Sequence, residues 1–363
     1  MNYILSAPRK FIVGKGELGN LAQYVNSYGS PLVLIAHPDD ANRVSGSLEK
    51  IETEGIKLVR FDFKGECTFS EIDRAEKLCE ENAAKAVIGL GGGKAIDTAK
   101  ATAQKRNLPS IIVPTIVSND APCSKLSVVY KDDHVYADTL ILRGNPELVL
   151  VDSEIIANAP ERTLVAGMGD AYATYYEARA CMRSGALNFN NGGSTRAAIV
   201  LAEECRRILL ADGKRALLAC RNHSVVPALE NVIEANVLLS GIGFESIGLA
   251  AAHAMDGAFT LLPETHRFMH GEKVAIGTLV QLIMENAPDE ELITTLRFYK
   301  SVGLPTSLAQ IGITEDLSEK LRNLAKRSAS STTSSIHHMP FTVTADMIYD
   351  AIMYVNCLDR LLE

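Results

Sequence analysis

Three residues in the second half of the chain carry side chains that could bind a metal ion together. Asp170 follows a Gly-x-Gly pair in AGMGDAYATYYEA, His253 lies among small apolar residues in GLAAAHAMDGAF, and His270 is found in RFMHGEKVAIG. A carboxylate and two imidazoles suit a catalytic zinc site, which keeps a fourth position open for substrate. The alternative is a core histidine satisfied by hydrogen bonds, since an unpaired buried imidazole costs free energy. No HExxH-type motif is present, so the spacing alone leaves both interpretations open.

A glycine-rich turn in the first half of the chain could bind phosphate. The segment AVIGLGGGKAIDTAK places Gly91, Gly92 and Gly93 between a predicted strand and a predicted helix. Unhindered backbone N–H groups at the N-terminus of such a helix can face a pyrophosphate. The segment is neither the GxGxxG fingerprint nor a P-loop, so a tight turn with a purely structural role is the alternative.

A second loop, VPTIVSNDAPCSKLSVVY at 113–130, follows the next predicted strand and is rich in polar side chains. Thr115, Ser118, Ser124 and the carboxylate Asp120 lie in it. Ligands of open α/β sheets bind outside the carboxyl ends of strands, so this loop and the glycine turn are expected to face one crevice. A hydrophilic connection without function is the alternative, although long loops in compact domains are often functional.

The elements that must position these residues change in type along the chain. In the first 150 residues, short β-branched runs alternate with helical stretches, which predicts parallel βαβ units. The predicted strands are 31–36, 57–63, 86–90, 110–115 and the run ELVLVDSEII at 147–156. KLSVVY and TLILR flank the polar turn 131–134 and predict a hairpin.

From Pro160 onward the sequence shows almost only amphipathic segments with helical periodicity. The segments are ERTLVAGMGDAYATYYEARACM, TRAAIVLAEECRRILLADG, VVPALENVIEANVLLSGIGF, ESIGLAAAHAMDGAF and GEKVAIGTLVQLIMENA. The predicted fold class is an α/β N-terminal dinucleotide-binding domain with a Rossmann-like parallel sheet, followed by an all-α C-terminal domain. We place the boundary so that residues 1–158 form the first domain and residues 159–363 form the helical, metal-binding one.

Composition excludes several classes of function. The net charge of −8 argues against nucleic acid as the main partner. The N-terminus lacks the apolar core of a signal peptide, and no run of about 18 apolar residues occurs, so no membrane span is expected. The seven cysteines are scattered and form no CxxC pair, which indicates reduced thiols in a cytoplasmic protein.

Five of the segments, taken in order, resemble the glycerol dehydrogenase family, a zinc-dependent branch of the iron-containing alcohol dehydrogenase superfamily. They are GLGGGKAIDTAK, PTIVSNDAPCSKLSVVY, AGMGDAYATYYEARAC, GLAAAHAMDGAF and HGEKVAIGTL. The resemblance runs from about residue 3 to the C-terminus. It implies a dehydroquinate synthase-like architecture with a cleft between the domains. It also implies NAD-dependent oxidation of glycerol and related 1,2-diols to dihydroxyacetone and other hydroxyketones at a catalytic zinc in that cleft.

The resemblance also assigns roles to individual residues. Asp170, His253 and His270 correspond to the zinc ligands. Thr174 stands where iron-dependent relatives have a further histidine, so zinc is expected rather than iron. Asp120 corresponds to the residue that contacts the substrate hydroxyls, and we expect it and His253 at the catalytic centre. The cofactor-binding positions are Gly92, Gly93, Lys94, Asp97, Thr115, Ser118, Ser124, Leu126 and Tyr130, with His37 at the position of the adenosine ribose.

This chain departs from the family at three places. His37 stands where the family usually has an aspartate directly after its first strand, which weakens NAD recognition or makes room for the 2'-phosphate of NADP. Asp39 or Asp40 is an alternative source of the carboxylate, although the resemblance does not place either of them. Asp256-Gly257 replaces the usual His-Asn and puts a carboxylate about one helical turn from a metal ligand. Lys125 replaces a small residue, which makes an acidic substrate conceivable, although a solvated lysine is the alternative.

Other functions remain open at this point. The principal alternative is a dehydrogenase of the same fold, possibly NADP-linked, that acts on a hydroxycarboxylate or a glycerol phosphate. A non-catalytic descendant and a lyase of the dehydroquinate synthase type are further alternatives, although the metal ligands are intact and the motifs match the dehydrogenase branch better. The resemblance also implies a homo-oligomer, expected to be an octamer.

Overall fold

A computed structural model describes residues 2–133, 135–314 and 317–363 of the chain. Within these residues, six strands form one parallel sheet in the order β1-β8-β5-β4-β2-β3, and two form an antiparallel hairpin, β6-β7. The strands are β1 Phe11–Gly14, β2 Leu32–Ala36, β3 Leu58–Asp62, β4 Ala86–Gly91, β5 Ser110–Pro114, β6 Leu126–Tyr130, β7 Tyr136–Ile141 and β8 Leu148–Asp152.

The predicted parallel sheet is confirmed, with differences at its ends. The sequence analysis missed β1, a four-residue strand that pairs in parallel with β8 and has no strong pattern of its own. The predicted hairpin is present, but β7 begins at Tyr136, three residues before the apolar run that predicted it. His134 of the predicted turn lies outside the described residues.

Helices account for most of the remaining described chain. They are α1 Leu21–Val25, α2 Pro38–Arg43, α3 Ser45–Thr53, α4 Phe69–Glu81, α5 Gly93–Arg106, α6 Ser153–Ala157, α7 Glu161–Ser184, α8 Arg196–Arg221, α9 Pro227–Glu234, α10 Ser240–Ile247, α11 Ala251–Phe259, α12 His270–Met284, α13 Asp289–Val302, α14 Leu317–Ser330 and α15 Ala345–Val355. A π-helical turn at 235–239 joins α9 to α10. The residues described after position 158 contribute no strand to either sheet, and the boundary at 158/159 stays a prediction.

One predicted helical segment, ESIGLAAAHAMDGAF, is divided between two helices. Its first three residues end α10, and α11 begins at Ala251. Gly248 separates the two helices with a φ of 133°, a conformation that other residues rarely adopt. A Cβ at this glycine would lie 3.0 Å from the Sγ atom of Cys181, so the break also allows α10 to approach α7.

The chain leaves two neighbouring strands toward opposite faces of the sheet. After β2, α3 packs Leu48 and Ile51 on one face. After β4, α5 packs Ile96 and Ala99 on the other face, together with residues of the helical half of the chain. Such a divergence at the carboxyl ends of β2 and β4 opens a crevice, which is the usual ligand site of this kind of sheet.

Glycines bring three helices of the C-terminal half into backbone contact. A Cβ on Gly271 of α12 would lie 1.8 Å from the carbonyl oxygen of Ala166 in α7, and one on Gly169 would lie 2.4 Å from that of Gly271. On the side of α12 facing α11, a Cβ on Gly277 would lie 2.2 Å from the carbonyl oxygen of Ala252. Only glycine fits at these positions unless the helices separate.

Two expectations from composition can be compared with the structure. All seven cysteines are free, and all but Cys357 are buried. Among the described residues no single helix is long and apolar enough to cross a membrane. Pro227–Ile247 and Ala251–Phe259 reach the necessary length and apolar composition only when they are taken together, and the chain bends by 102° between them.

We predict that Gly271→Ala lowers the free energy of unfolding by roughly 1–3 kcal/mol, because the added methyl group forces α12 away from α7. The matched control is Gly257→Ala on α11, where a Cβ meets nothing within 4 Å. That control is expected to raise the free energy of unfolding by up to about 1 kcal/mol, since alanine loses less entropy in a helix. Urea unfolding of both variants without metal is the measurement, and equal stabilities contradict the proposed backbone contact.

Candidate functional site

Asp170, His253 and His270 lie on three different helices and meet at one point. The Oδ1 atom of Asp170 in α7 lies 3.1 Å from Nε2 of His253 in α11 and 3.3 Å from Nε2 of His270 in α12. The ligand atoms of the three residues all lie within 4.8 Å of one another. In the part of the chain that the structure describes, this is the only group of His, Cys, Asp or Glu side chains with the spacing of a metal site.

Each of the two histidines has a carboxylate on its other ring nitrogen. Nδ1 of His253 lies 2.5 Å from Glu177, and Nδ1 of His270 lies 2.9 Å from Asp256. Each carboxylate accepts a hydrogen bond from the Nδ1–H group of its histidine. Nε2 then carries the free lone pair and is available to a metal ion. The donor set therefore fits a divalent cation with two imidazole nitrogens and one carboxylate.

The three side chains shift one another's pKa values. Burial lowers the pKa of His253, but Glu177 and Asp170 more than offset that effect and leave it well above its ordinary value. Burial also opposes protonation of His270, yet Asp256 and Asp170 raise its pKa to about 10. Burial raises the pKa of Asp170, but the two histidines outweigh this effect, so its pKa lies below the usual range.

Asp120 lies beside the metal group at the end of a chain of buried hydroxyls. Its backbone N–H donates to Oδ2 of Asp170 at 3.3 Å, and its carboxylate accepts a hydrogen bond of 2.6 Å from Ser240. Thr174 in turn lies 2.8 Å from the Ser240 oxygen. Burial and the charge of Asp170 raise the pKa of Asp120 to about 7. Thr174 thus supports Asp120 through Ser240 and does not join the metal group.

A cavity of about 450 Å³ connects the glycine turn to the metal group. Its lining includes Asp120, both histidines of the metal group and six of the predicted cofactor residues, namely Gly93, Lys94, Asp97, Ser124, Leu126 and Tyr130. Phe189, Phe244 and Leu249 add apolar surface near the histidines. The structure thereby brings six of the ten predicted cofactor residues and two of the three predicted metal ligands to one cleft.

Four predicted cofactor residues are not part of this lining. Gly92 is the N-cap of α5 and belongs to the glycine turn. Thr115 follows β5, and its backbone N–H donates to the carbonyl of Gly91 in that turn at 3.0 Å. Ser118 is half-buried. His37 is the N-cap of α2, where its ring accepts a hydrogen bond from the backbone of Asp39.

A carboxylate does lie at the carboxyl end of β2, but it belongs to Asp40. Oδ2 of Asp40 lies 3.3 Å from the place a Cβ on Gly91 would take, and Oδ1 lies 3.4 Å from the hydroxyl of Thr115. Arg43 pairs with it at 2.6 Å. Asp40, three residues after His37 in the first turn of α2, is therefore the carboxylate that lies beside the glycine turn.

Lys100 organises the second loop, a role that the sequence analysis did not identify. It is only 2% exposed, and its ammonium donates to the backbone carbonyls of Ala121, Ser124 and Leu126. It also lies 3.0 Å from Asp97. Asp97 in turn accepts a hydrogen bond from the backbone of Val128, so the carboxylate holds β6 against α5. Burial raises the pKa of Asp97, although Lys100 opposes that effect.

The two lysines that the sequence analysis named, Lys94 and Lys125, have partners within the protein. Lys94 lies 2.7 Å from Glu66 and 5.3 Å from the centre of the Tyr130 ring. Lys125 donates to the side-chain oxygen of Asn190 at 2.6 Å and is not part of the cavity lining. Lys125 therefore gives no support to an acidic substrate.

The sequence analysis also missed Glu177, although a signal for it exists. Glu177 follows Asp170 by seven residues in a predicted helix, which places both carboxylates on one face. It is fully buried, and its Oε1 accepts hydrogen bonds from the backbone of Ala250 and of His253. One carboxylate thus fixes both the start of α11 and the ring of the ligand that this helix carries.

Comparison with known proteins adds independent findings. The family model described as iron-containing alcohol dehydrogenase matches residues 8–153. The chain is 45% identical to a glycerol dehydrogenase of Escherichia coli O6:H1, over 98% of this chain and 97% of that protein. The crystal structure of glycerol dehydrogenase from Schizosaccharomyces pombe superposes with a TM-score of 0.94 at 34% identity, covering 99% of this chain and 91% of that one. The crystal structure of a probable glycerol dehydrogenase from Sinorhizobium meliloti 1021 superposes with a TM-score of 0.90 at 40% identity, covering 99% of both chains. These similarities confirm the predicted dehydroquinate synthase-like architecture.

We predict that divalent metal affinity rises with pH between about 6 and 9, by roughly tenfold per pH unit for each proton that the metal displaces. The raised pKa values of His253 and His270 mean that a metal competes with bound protons even above neutral pH. The same shifts stabilise the metal-free protein below the unfolded histidine pKa, and this contribution is lost as pH rises through the folded values. Zinc titrations against a chelating dye at several pH values measure the effect. An affinity independent of pH contradicts it.

Proposed function

The chain belongs to the iron-containing alcohol dehydrogenase family, among its glycerol dehydrogenases, and we propose that it oxidises glycerol and related 1,2-diols with NAD as the hydride acceptor. The products are dihydroxyacetone and other hydroxyketones. The observation that carries the proposal is the group Asp170, His253 and His270 at one end of a cavity whose other wall is the glycine turn. We further propose zinc as the metal, because two imidazoles and one carboxylate suit it.

The cofactor is proposed to bind along the crevice between β2 and β4. The backbone N–H groups at the start of α5 face the pyrophosphate, because Gly91, Gly92 and Gly93 carry no side chain that would block it. Asp40 lies beside the glycine turn, where its carboxylate is placed to accept hydrogen bonds from the ribose hydroxyls of NAD. Leu126 and Tyr130 line the cavity between the glycine turn and the histidines and provide an apolar wall for the nicotinamide.

The protein's part in the reaction is to hold the polyol and to exclude water. When bound, zinc supplies Lewis acidity that favours loss of the hydroxyl proton, and NAD takes up the hydride. Asp120 accepts hydrogen bonds from the neighbouring hydroxyl, and Ser240 keeps its carboxylate oriented toward the cavity. A simple alcohol offers this buried carboxylate no such hydrogen bond, which disfavours substrates of that kind. Phe189, Phe244 and Leu249 keep the cleft apolar, so that charges act strongly across it.

The assembly and the location of the enzyme are proposals of a different kind. A homo-octamer rests on the resemblance to the family, and light scattering of the purified protein tests it. A cytoplasmic location is supported by seven free cysteines, which fit a reducing compartment.

The test of the proposed function is NADH formation by the purified, zinc-loaded protein. Glycerol and 1,2-propanediol are offered with NAD and with NADP, and ethanol, lactate and glycerol 1-phosphate serve as comparison substrates. We expect turnover of both diols with NAD, loss of that turnover after treatment with EDTA, and recovery on addition of zinc. Oxidation of lactate or glycerol phosphate in preference to the diols, or no turnover by protein that contains metal, overturns the proposal.

We predict that Asp120→Asn lowers kcat/KM for 1,2-propanediol by roughly 100-fold and that for 1-propanol much less, since only the diol uses the carboxylate. The control is Asp346→Asn, which removes an exposed carboxylate at the start of α15, far along the chain from the cleft. Initial rates with both alcohols measure the ratio. If the variant loses activity equally toward both, Asp120 does not select for the second hydroxyl.

A further inference from the structure

The ring of His270 depends on one neighbour for its orientation. His270 is the first residue of α12, and its side chain is 38% exposed, whereas that of His253 is 14% exposed. Surrounding side chains therefore restrict the His270 ring less. Its Nδ1 atom lies 2.9 Å from Oδ2 of Asp256, and this contact points Nε2 toward Asp170. Rotation of the ring about its side-chain bonds would break both contacts at once.

Asp256 is in turn held by a buried ammonium group. Its Oδ1 atom lies 3.2 Å from Nζ of Lys273, a residue of α12 that is 7% exposed. Asp256 follows His253 by three residues on α11, and Lys273 follows His270 by three residues on α12. Residues three apart share a helix face. Each of the two facing helices therefore presents one histidine and one charged residue on the same face. Asp256 thus contacts both His270 and Lys273 on the facing helix, and the ring centres of His253 and His270 lie 5.2 Å apart.

The presence of Lys273 in this place calls for a physical reason. A buried ammonium is costly unless it is paired, and a positive charge so near a metal site repels the cation. Neither cost is offset by direct ligation, because an ammonium has no lone pair to offer. The ammonium donates a hydrogen bond to the hydroxyl of Thr260 and forms an ion pair with Oδ1 of Asp256. This ion pair favours the charged carboxylate, whose other oxygen, Oδ2, faces His270.

The other histidine is supported in a different way. Glu177 holds Nδ1 of His253, and its second oxygen accepts two backbone N–H groups, from Ala250 at 2.7 Å and from His253 itself at 2.9 Å. That carboxylate is fixed by the main chain of α11. The contacts of Asp256 are instead with side chains, namely Nδ1 of His270 at 2.9 Å and Nζ of Lys273 at 3.2 Å.

We propose that Asp256 and Lys273 are a positioning pair, in which Asp256 orients His270 toward the metal and Lys273 holds Asp256 in place. The pair sets how tightly the metal is bound and does not itself touch the substrate. This inference rests on the proposed metal-dependent function.

The test is zinc affinity of the full chain in the variants Asp256→Asn and Lys273→Met, measured by competition with a chelating dye. Loss of a carboxylate or of its support behind a metal-bound histidine weakens binding by about 10- to 100-fold, and we expect that range for both variants. Cobalt-loaded protein provides a second readout, because a misaligned imidazole changes the visible absorption bands of the metal. The loss of zinc affinity is expected to exceed any loss of kcat measured at saturating zinc.

Two further variants control for charge and for fold. Lys273→Arg keeps a cation next to Asp256 and is expected to retain most of the zinc affinity. Lys300→Met removes an exposed lysine that pairs with Asp359 on the surface and is expected to leave zinc affinity unchanged. If Asp256→Asn fails to fold, a loss of affinity in Lys273→Met that is absent in Lys273→Arg still supports the pair.

The proposal is overturned if both variants fold, as judged by circular dichroism and urea unfolding, and bind zinc within about twofold of the parent protein with an unchanged cobalt spectrum. This outcome differs from failure of the proposed function. A parent protein that binds zinc but oxidises no polyol would refute the proposed reaction, while the affinities of the variants would still decide whether the pair positions His270.

Discussion

Backbone contact between α7 and α12 is the constraint on which the candidate site depends. Gly169 and Gly271 meet where a side chain on either would overlap the carbonyl of the other helix. Asp170 directly follows the first glycine, and His270 directly precedes the second. The helices therefore cannot separate by the width of a methyl group without separating two of the three ligands, whose atoms now lie within 4.8 Å. The third ligand follows because α12 also touches α11 through Gly277.

Once the helices are this close, the site must manage several buried charges. Asp170, Glu177 and Asp256 each face a histidine, and Lys273 completes the group. Removing any one partner from such a group leaves an uncompensated charge, which is far more costly than loss of the pair as a whole. The carboxylates around the two histidines raise the pKa values of both rings, which favours the charged imidazolium that would balance them.

The sequence analysis identified the residues that carry their own local signal. The glycine turn, the polar loop after β5 and the three ligand residues stand out by residue type and by their place after a strand or in a helix. Lys100, Glu177 and Lys273 did not stand out, because a charged residue in an amphipathic helix is usually exposed and their partners are backbone carbonyls or residues far along the chain. The resemblance to the family points to position 37 for the acidic residue, and this position holds a histidine. In the structure, the first turn of α2 places the carboxylate of Asp40 at the crevice. Such a replacement depends on helix geometry and on β2 and β4 lying side by side, which only the fold specifies.

The ion pair between Asp256 and Lys273 also has a consequence for the charge that the site presents to an ion. Four carboxylates, those of Asp120, Asp170, Glu177 and Asp256, lie in or beside the metal group, and the ammonium of Lys273 offsets one of them. An ammonium cannot ligate a metal, so it lowers the negative charge around the ion without occupying one of its coordination positions. Because Coulomb attraction grows with the charge of the ion, Lys273 reduces the electrostatic preference of the region for ions of higher valence.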